Sequence, residues 1–281
     1  MFGKNIDYWL LRPLAHSRKR ATEKELNERV KCASYNLSEA QAYLELNKRR
    51  FGGHLIVDDN LSYLDIGCGM GRLSFGLIQS GAKDVTAIDI VPRHIEQAKN
   101  LAARLDLTNH PEFICTDIHE WEADRKYDII IVVGVIEHVN KPERFLQKLP
   151  TLMKSNGIAL IKHEPFQGPF GDHVRAFFRV QIPWRGVIFS EKALMNLRRE
   201  FYRPTDPAQR FRDIVGGLNQ MSYSQFVRYS LQAGLEFSQI IINPEFERIK
   251  PLMHISNLLT KITMIRDYFT HTVWAVLKRM Y

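Results

Sequence analysis

Between residues 61 and 163, short apolar runs alternate with stretches at helical spacing, and nothing else in the 281-residue chain restricts its fold as tightly. The runs 61–66 (LSYLDI), 84–90 (DVTAIDI), 112–116 (EFICT), 127–136 (YDIIIVVGVI) and 157–162 (GIALIK) read as buried strands. A helix over 72–80 carries Leu73 and Leu77 on one face and stops at Gly81. Pro92 opens a second, with Ile95, Ala98, Leu101 and Leu105 in phase. Pro142 opens a third, which Pro150 should kink or shorten. Continuous apolar strands joined by helical crossovers predict a parallel sheet covered by helices on both faces.

The flanks read differently. Residues 21–50 place Leu26, Val30, Ala33, Leu37, Ala40 and Leu44 at helical spacing, before paired glycines at 52 and 53. Residues 1–60 are therefore expected to form an N-terminal helical cap, with 61–163 as the cofactor-binding core. Residues 164–221 are rich in aromatics, Arg, Pro and Gly, with a helix expected near 190–202, and are expected to be a substrate-lid insertion. In 222–281, Ser222 caps a helix carrying Phe226, Val227 and Leu231, and strands at 235–242 and 272–279 are expected together at one sheet edge.

Composition narrows the class. The three cysteines, Cys32, Cys68 and Cys115, are too scattered for a metal-binding pair or a disulfide framework, which points to a reducing cytoplasm. No secretory leader or membrane-spanning run is visible. The net charge of +8 divides into +3 for residues 1–60, −1 for 61–163 and +6 for 164–281. Basic flanks attract acidic substrates, anionic lipid or nucleic acid, or serve only as a solvated surface.

The loop after the first strand, Leu64 to Arg72 (LDIGCGMGR), is where a parallel sheet binds ligands. Gly67, Gly69 and Gly71 permit tight turning and close backbone approach. Asp89 ends the second strand, placed to accept two ribose hydroxyls, and Asp117 follows the third, where an adenine amine is met. A nicotinamide dinucleotide fits less well: its fingerprint needs glycine where Arg72 stands, and Asp65 repels a pyrophosphate. A ligand with a sulfonium and an ammonium welcomes that carboxylate.

These pieces, LDIGCGMGRLS (64–74), VTAIDI (85–90), CTDIHEW (115–121), YDIIIVVGVIEHV (127–139) and GIALIKHEPF (157–166), resemble in content and order the class I S-adenosylmethionine-dependent methyltransferases. The resemblance covers about residues 61–163. It implies an α/β Rossmann-like sheet of seven mostly parallel strands, the last antiparallel, and S-adenosylmethionine as cofactor. It also implies roles: the Asp65–Gly71 loop at the methionine end, Asp89 with Ile90 beside it at the ribose, Asp117 with Ile118 at the adenine, and Gly134 close to the methyl donor. The insertion and the GGLNQMS turn (216–222) loosely resemble bacterial small-molecule and glycan O-methyltransferases.

Methyl transfer aligns nucleophile, methyl carbon and sulfur, and a hydroxyl acceptor also needs a base. Glu137 and His138 lie nearest the reactive end, either as base or as a turn-start carboxylate and a packed imidazole. His163, Glu164, Asp172 and His173 flank the following loop, with His163 at a strand end and histidine suited to base work. Phe166, Phe170, Phe177, Phe178, Trp184 and Phe189 line an acceptor pocket or pack a lid, and Arg175, Arg179 and Arg185 hold an anion or face solvent. Ubiquinone O-methyltransferases look similar at 134–138, with a Glu-x-x-Glu-His cluster able to hold a metal. Gly134 replaces the first Glu here, so no metal is expected.

The expected acceptor is therefore a small molecule, sugar or lipid-linked compound. Nucleic-acid base amines are disfavoured, since GVIEHV stands where amino-methylating enzymes carry an Asp/Asn-Pro-Pro-aromatic turn. An RNA acceptor and a non-catalytic cofactor-binding relative stay open, as does the oligomeric state. The basic, partly apolar YWLLRPLAHSRKR segment (8–20) either rests on a membrane surface or forms a helical lid over the cofactor.

Overall fold

The computed structural model describes residues 5–16, 37–107, 111–174, 178–214, 217–248 and 250–280. The helical expectation for 21–36 and the candidates Arg175 and Phe177 lie outside them.

Seven strands form one sheet: β1 (Ser62–Ile66), β2 (Asp84–Asp89), β3 (Glu112–Cys115), β4 (Tyr127–Val133), β5 (Met153–His163), β6 (Leu235–Ile242) and β7 (Val273–Arg279), in the order β3-β2-β1-β4-β5-β7-β6. The first five run parallel, while β7 is antiparallel to both neighbours. This is the Rossmann-like sheet expected, with its two late strands together at one edge. Strand order reverses between β1 and β4, so ligands are received beyond the carboxyl ends of those strands.

Ten helices accompany it among the described residues: α1 (Ile6–Leu11), α2 (Leu37–Arg50), α3 (Arg72–Gln79), α4 (Pro92–Arg104), α5 (Pro142–Leu152), α6 (Arg185–Ile188), α7 (Glu191–Phe201), α8 (Tyr223–Gln232), α9 (Lys250–Leu259) and α10 (Arg266–Phe269). Strand β4 shows why both faces are covered. Ile130 and Val132 pack with Phe145, Leu149 and Phe226 on one side, while Ile129 and Ile131 pack with Leu44, Leu73 and Leu77 on the other. Each such side chain taken from water contributes about 1.5–3 kcal/mol before conformational entropy is charged.

A separate apolar cluster lies in the insertion. Tyr8, Leu11 and Ala15 pack with Phe178, Leu194, Leu197 and Phe211. The N-terminal region thus splits: α1 seats on α7, while Ala40 and Leu44 of α2 pack against α3 and the sheet. Asn5 caps α1 and Asp7 accepts the Ser190 N–H at 2.9 Å, which ties α1 to the insertion.

Three details depart from the sequence reading. Strand β5 begins at Met153 rather than 157, because Tyr127 pairs with Met153 before the register shifts. Helix α5 continues to Leu152, two residues past Pro150. Helices α9 and α10 occupy 250–269, a stretch for which the sequence offered no expectation. Asn243 fastens that stretch, donating to Ser256 and Phe269 and accepting from His271 and Thr272. Among the described residues no helix is long and apolar enough to cross a membrane.

Candidate active site

The carboxyl ends of β1, β2 and β3 set three acidic residues around the glycine turn. Asp65 is buried and accepts a 2.6 Å hydrogen bond from the Ser74 hydroxyl, which joins the strand to α3. Burial pushes its carboxyl up to about 6, against the opposing pull of Ser74. Asp89 accepts the Gly69 N–H at 2.8 Å on one oxygen and the Val91 N–H at 2.8 Å on the other. It therefore holds the glycine turn against the end of β2. Asp117 accepts the His119 N–H at 2.9 Å, and the Thr116 N–H reaches the Asp89 carbonyl. Ile90 projects with 61% of its surface exposed, an apolar platform beside Asp89, whereas Ile118 is buried.

The turn requires its glycines. Gly67 has φ +69°, and a Cβ there would meet Val135 Cγ2 at 2.3 Å. Gly71, at φ +81°, starts α3 and would strike Phe113 at 2.7 Å. Arg72, which breaks the dinucleotide fingerprint, stacks its guanidinium 4.6 Å from the Tyr43 ring centre. Burial pushes the Cys68 thiol up, so it offers no nucleophile here.

The reactive end gathers the candidates after β4 and β5. A 3-10 turn, Ile136–His138, follows Gly134 and carries Glu137 into the interior. Burial opposes ionisation of Glu137, but His163 and His138 outweigh it and hold the carboxyl below its usual range. His163 is fully buried, 3.9 Å from Glu137 Oε2 and packed on the Phe226 ring. Glu164 pairs with Lys162 and lies 3.0 Å from His173 Nε2. Despite burial, these two neighbours hold its carboxyl far below the ordinary value. The His138 and His173 rings stand 5.2 Å apart, and His173 adopts the left-handed backbone at φ +51°. Glu137, His138, His163, Glu164 and His173 therefore form one cluster.

Other candidates have different partners. Asp172 takes a bidentate ion pair from Arg185, at 2.8 and 2.9 Å, inside the 164–221 segment. Arg185 also stacks over Phe178 at 4.3 Å. Phe166 packs on Phe211, Phe170 on His271 and Trp184 on Phe269, and Phe189 packs against the cluster of Tyr8, Leu194 and Phe211. The Arg179 N–H donates to the Leu14 carbonyl, tying the insertion to the residues after α1.

Sequence reading missed Asn219. Its amide donates to the carbonyls of Ile136 at 2.7 Å and Val139 at 2.9 Å, and its N–H donates to the Glu137 carbonyl at 2.9 Å. Its Oδ1 accepts from Met221. Asn219 thus grips the turn that presents Glu137 and His138. The neighbouring turn and the Ser222 cap were legible, and Ser222 makes a reciprocal capping box with Gln225. The 83-residue separation of Asn219 from Ile136 left no local signal.

A Rossmann-like sheet whose glycine turn is braced by acids on adjacent strand ends defines an α/β nucleotide-cofactor protein. Residues 57–196 match the family described as a methyltransferase domain. Among similar proteins, a ubiquinone biosynthesis O-methyltransferase of Rickettsia typhi is 41% identical over 101 residues, 36% of this chain and 40% of that protein. A probable (S)-tetrahydroprotoberberine N-methyltransferase of Papaver bracteatum is 32% identical over 108 residues, 38% of this chain and 30% of that protein. The chain thus spans well under half the length of either relative. The crystal structure of an S-adenosylmethionine-dependent methyltransferase from Clostridium acetobutylicum shares the fold, with a TM-score of 0.51 at 12% identity over 91% of this chain and 97% of that one.

Proposed function

We propose that the chain transfers the methyl group of S-adenosylmethionine to a hydroxyl oxygen of a small molecule. The observation that carries this reading is the adjacency of two halves: the acid-braced glycine turn, and the carboxylate–imidazole cluster beside Gly134. In the first half, Asp65 and the turn Gly67–Gly69–Gly71 receive the amino-acid end of the cofactor. Asp89 accepts the ribose hydroxyls, Ile90 and Ile118 flank the adenine, and Asp117 accepts its amine. Gly134 leaves room at the sulfonium.

In the second half, His138 takes the acceptor proton as oxygen attacks the methyl carbon. The carbon–sulfur bond breaks as the oxygen–carbon bond forms, and S-adenosylhomocysteine leaves. Glu137 stabilises the imidazolium that results, and His163 positions Glu137. His173 and Glu164 close the acceptor side under the insertion. An oxygen acceptor is favoured because the wall is built of imidazoles, side chains suited to taking a hydroxyl proton.

The finer acceptor class we propose is a sugar or lipid-linked hydroxyl, reached from the cytoplasm. Ile6, Trp9 and Leu10 of α1 are exposed, as are Val187 and Ile188 of α6. Their apolar surface on the lid side supports contact with a lipid-linked acceptor at a membrane surface.

The experiment is methyl-group transfer from labelled S-adenosylmethionine into a panel of hydroxylated sugars, quinols and lipid-linked acceptors. His138→Ala should lower the rate by about 10²–10⁴ without changing affinity for S-adenosylhomocysteine. An undiminished rate in that variant overturns the role of His138, and transfer only to amines or RNA overturns the acceptor class.

A further inference from the structure

Three side chains able to ligate a metal converge after β4 and β5. Oxygens of Glu137 and Glu164 and a ring nitrogen of His173 all lie within 4.8 Å of each other. His173 Nε2 is 3.0 Å from Glu164 Oε2, yet it is buried without a hydrogen-bond partner, so the two atoms are close but not aligned. Glu137 Oε2 is likewise buried without one; its neighbour His163 Nδ1 stands off at 3.9 Å. Buried polar atoms are nearly always paired, and two converging orphans call for a missing partner.

The surroundings favour a cation as that partner. Lys162 occupies one oxygen of Glu164 and leaves the other to face His173. Glu137 and Glu164 bring two negative charges, Lys162 one positive, and His138, His163 and His173 are the other titratable groups in the cluster. Space is present as well. A Cβ built on Gly134 would find, chain neighbours apart, only Glu137 Oε1 at 4.0 Å among the described residues. The left-handed backbone of His173 is the sort of local strain that a fold retains where a side chain must be aimed.

We propose that Glu137, Glu164 and His173 bind a divalent metal ion of the Mn²⁺ type. Two carboxylates suit a hard ion and one imidazole suits a first-row transition metal, and Mn²⁺ takes both. Sequence reading expected no metal because Gly134 leaves its loop with one carboxylate. The second carboxylate instead comes from the end of β5, and the imidazole from the loop beyond it. Three protein ligands leave positions open, so an acceptor hydroxyl bound there loses its proton more readily. That role rests on the transfer reading above; binding of the ion does not.

The test titrates Mn²⁺ into the full chain, reading free Mn²⁺ by electron paramagnetic resonance and heat by calorimetry. The expected result is one equivalent bound, with nitrogen hyperfine coupling from one imidazole. Glu164→Gln and His173→Ala should each weaken binding at least about tenfold while leaving S-adenosylhomocysteine affinity unchanged. No Mn²⁺ bound by the folded wild-type chain overturns the proposal, as does binding without nitrogen coupling. So does binding that neither variant weakens. The wild-type hyperfine signal decides the matter even if one variant fails to fold. Cofactor binding without metal binding removes the ion and leaves the methyl-transfer reading standing.

Discussion

The half proposed to hold the cofactor and the half proposed to face the acceptor are held together by different means. Around β1, β2 and β3, short-range contacts dominate: Asp65 to Ser74, Asp89 to Gly69 and Val91, Asp117 to His119. Each joins residues close in sequence or on adjacent strands, and glycine turns set their spacing. The acceptor half is assembled from distant pieces. Asn219 grips the turn after β4, and α1 packs on α7. The first arrangement is built into the strand ends of the fold. The second is where a shared fold acquires its own acceptor.

The contrast predicts that the halves respond separately to damage. The largest effect should follow Asp172→Ala, which leaves the buried Arg185 guanidinium unpaired and costs about 3–5 kcal/mol. Denaturant unfolding should show the loss in the transition that includes the lid, and S-adenosylhomocysteine affinity should stay within about twofold. An equal collapse of cofactor binding would mean that the two halves are one cooperative unit. Gly67→Ala should act in the opposite half. Its methyl would meet Val135 at 2.3 Å in a left-handed backbone, for a cost of about 2–3 kcal/mol together with lost cofactor affinity. A variant that binds normally would remove the need for a bare turn.

Titration of Asp65 sharpens the same boundary. Its folded value of about 6 lies above the ordinary 3.8, so the fold favours the neutral form. Stability from this group is therefore full at low pH and declines as pH rises between the two values, by about 1.4 kcal/mol per unit. Cofactor affinity should move the other way, because an ammonium group binds the ionised carboxylate. Calorimetry from pH 5 to 7 should show affinity rising about tenfold, and Asp65→Asn should flatten the curve. A pH-independent wild type would take the ammonium away from Asp65. Smallest is Asn219→Ala, which strips two hydrogen bonds from the turn that carries Glu137 and His138, for about 1–2 kcal/mol. Methyl transfer should fall while cofactor affinity holds, and unchanged transfer would demote the turn's outside support.

Legibility in the sequence followed the same division. The strands β1, β2, β4 and β5 were visible because a sheet buried on both faces needs unbroken apolar runs, and YDIIIVV serves no other purpose so well. The acids at strand ends were visible because their neighbours are glycines and turns. The partners of Asn219 were not, since no periodicity links a loop to a turn 80 residues away, and irregular backbone hid the pairing of His173 with Glu164 and of Asp172 with Arg185. Helices α9 and α10 lay hidden for a related reason: their seating depends on Asn243 gathering carbonyls and N–H groups from both ends of the segment. The expectation of no metal rested on the loop after β4 alone, whereas the proposed site adds a carboxylate from the end of β5.

The central claim is that Asp89 and the glycine turn hold the nucleoside of S-adenosylmethionine. Calorimetric titration of S-adenosylhomocysteine into the wild-type chain and Asp89→Ala tests it most directly. One equivalent should bind the wild type, and the variant should bind about 10–100-fold more weakly while remaining folded, as loss of a charged hydrogen-bond acceptor requires. A folded wild type that binds none, or a variant that binds as well as the wild type, contradicts the account.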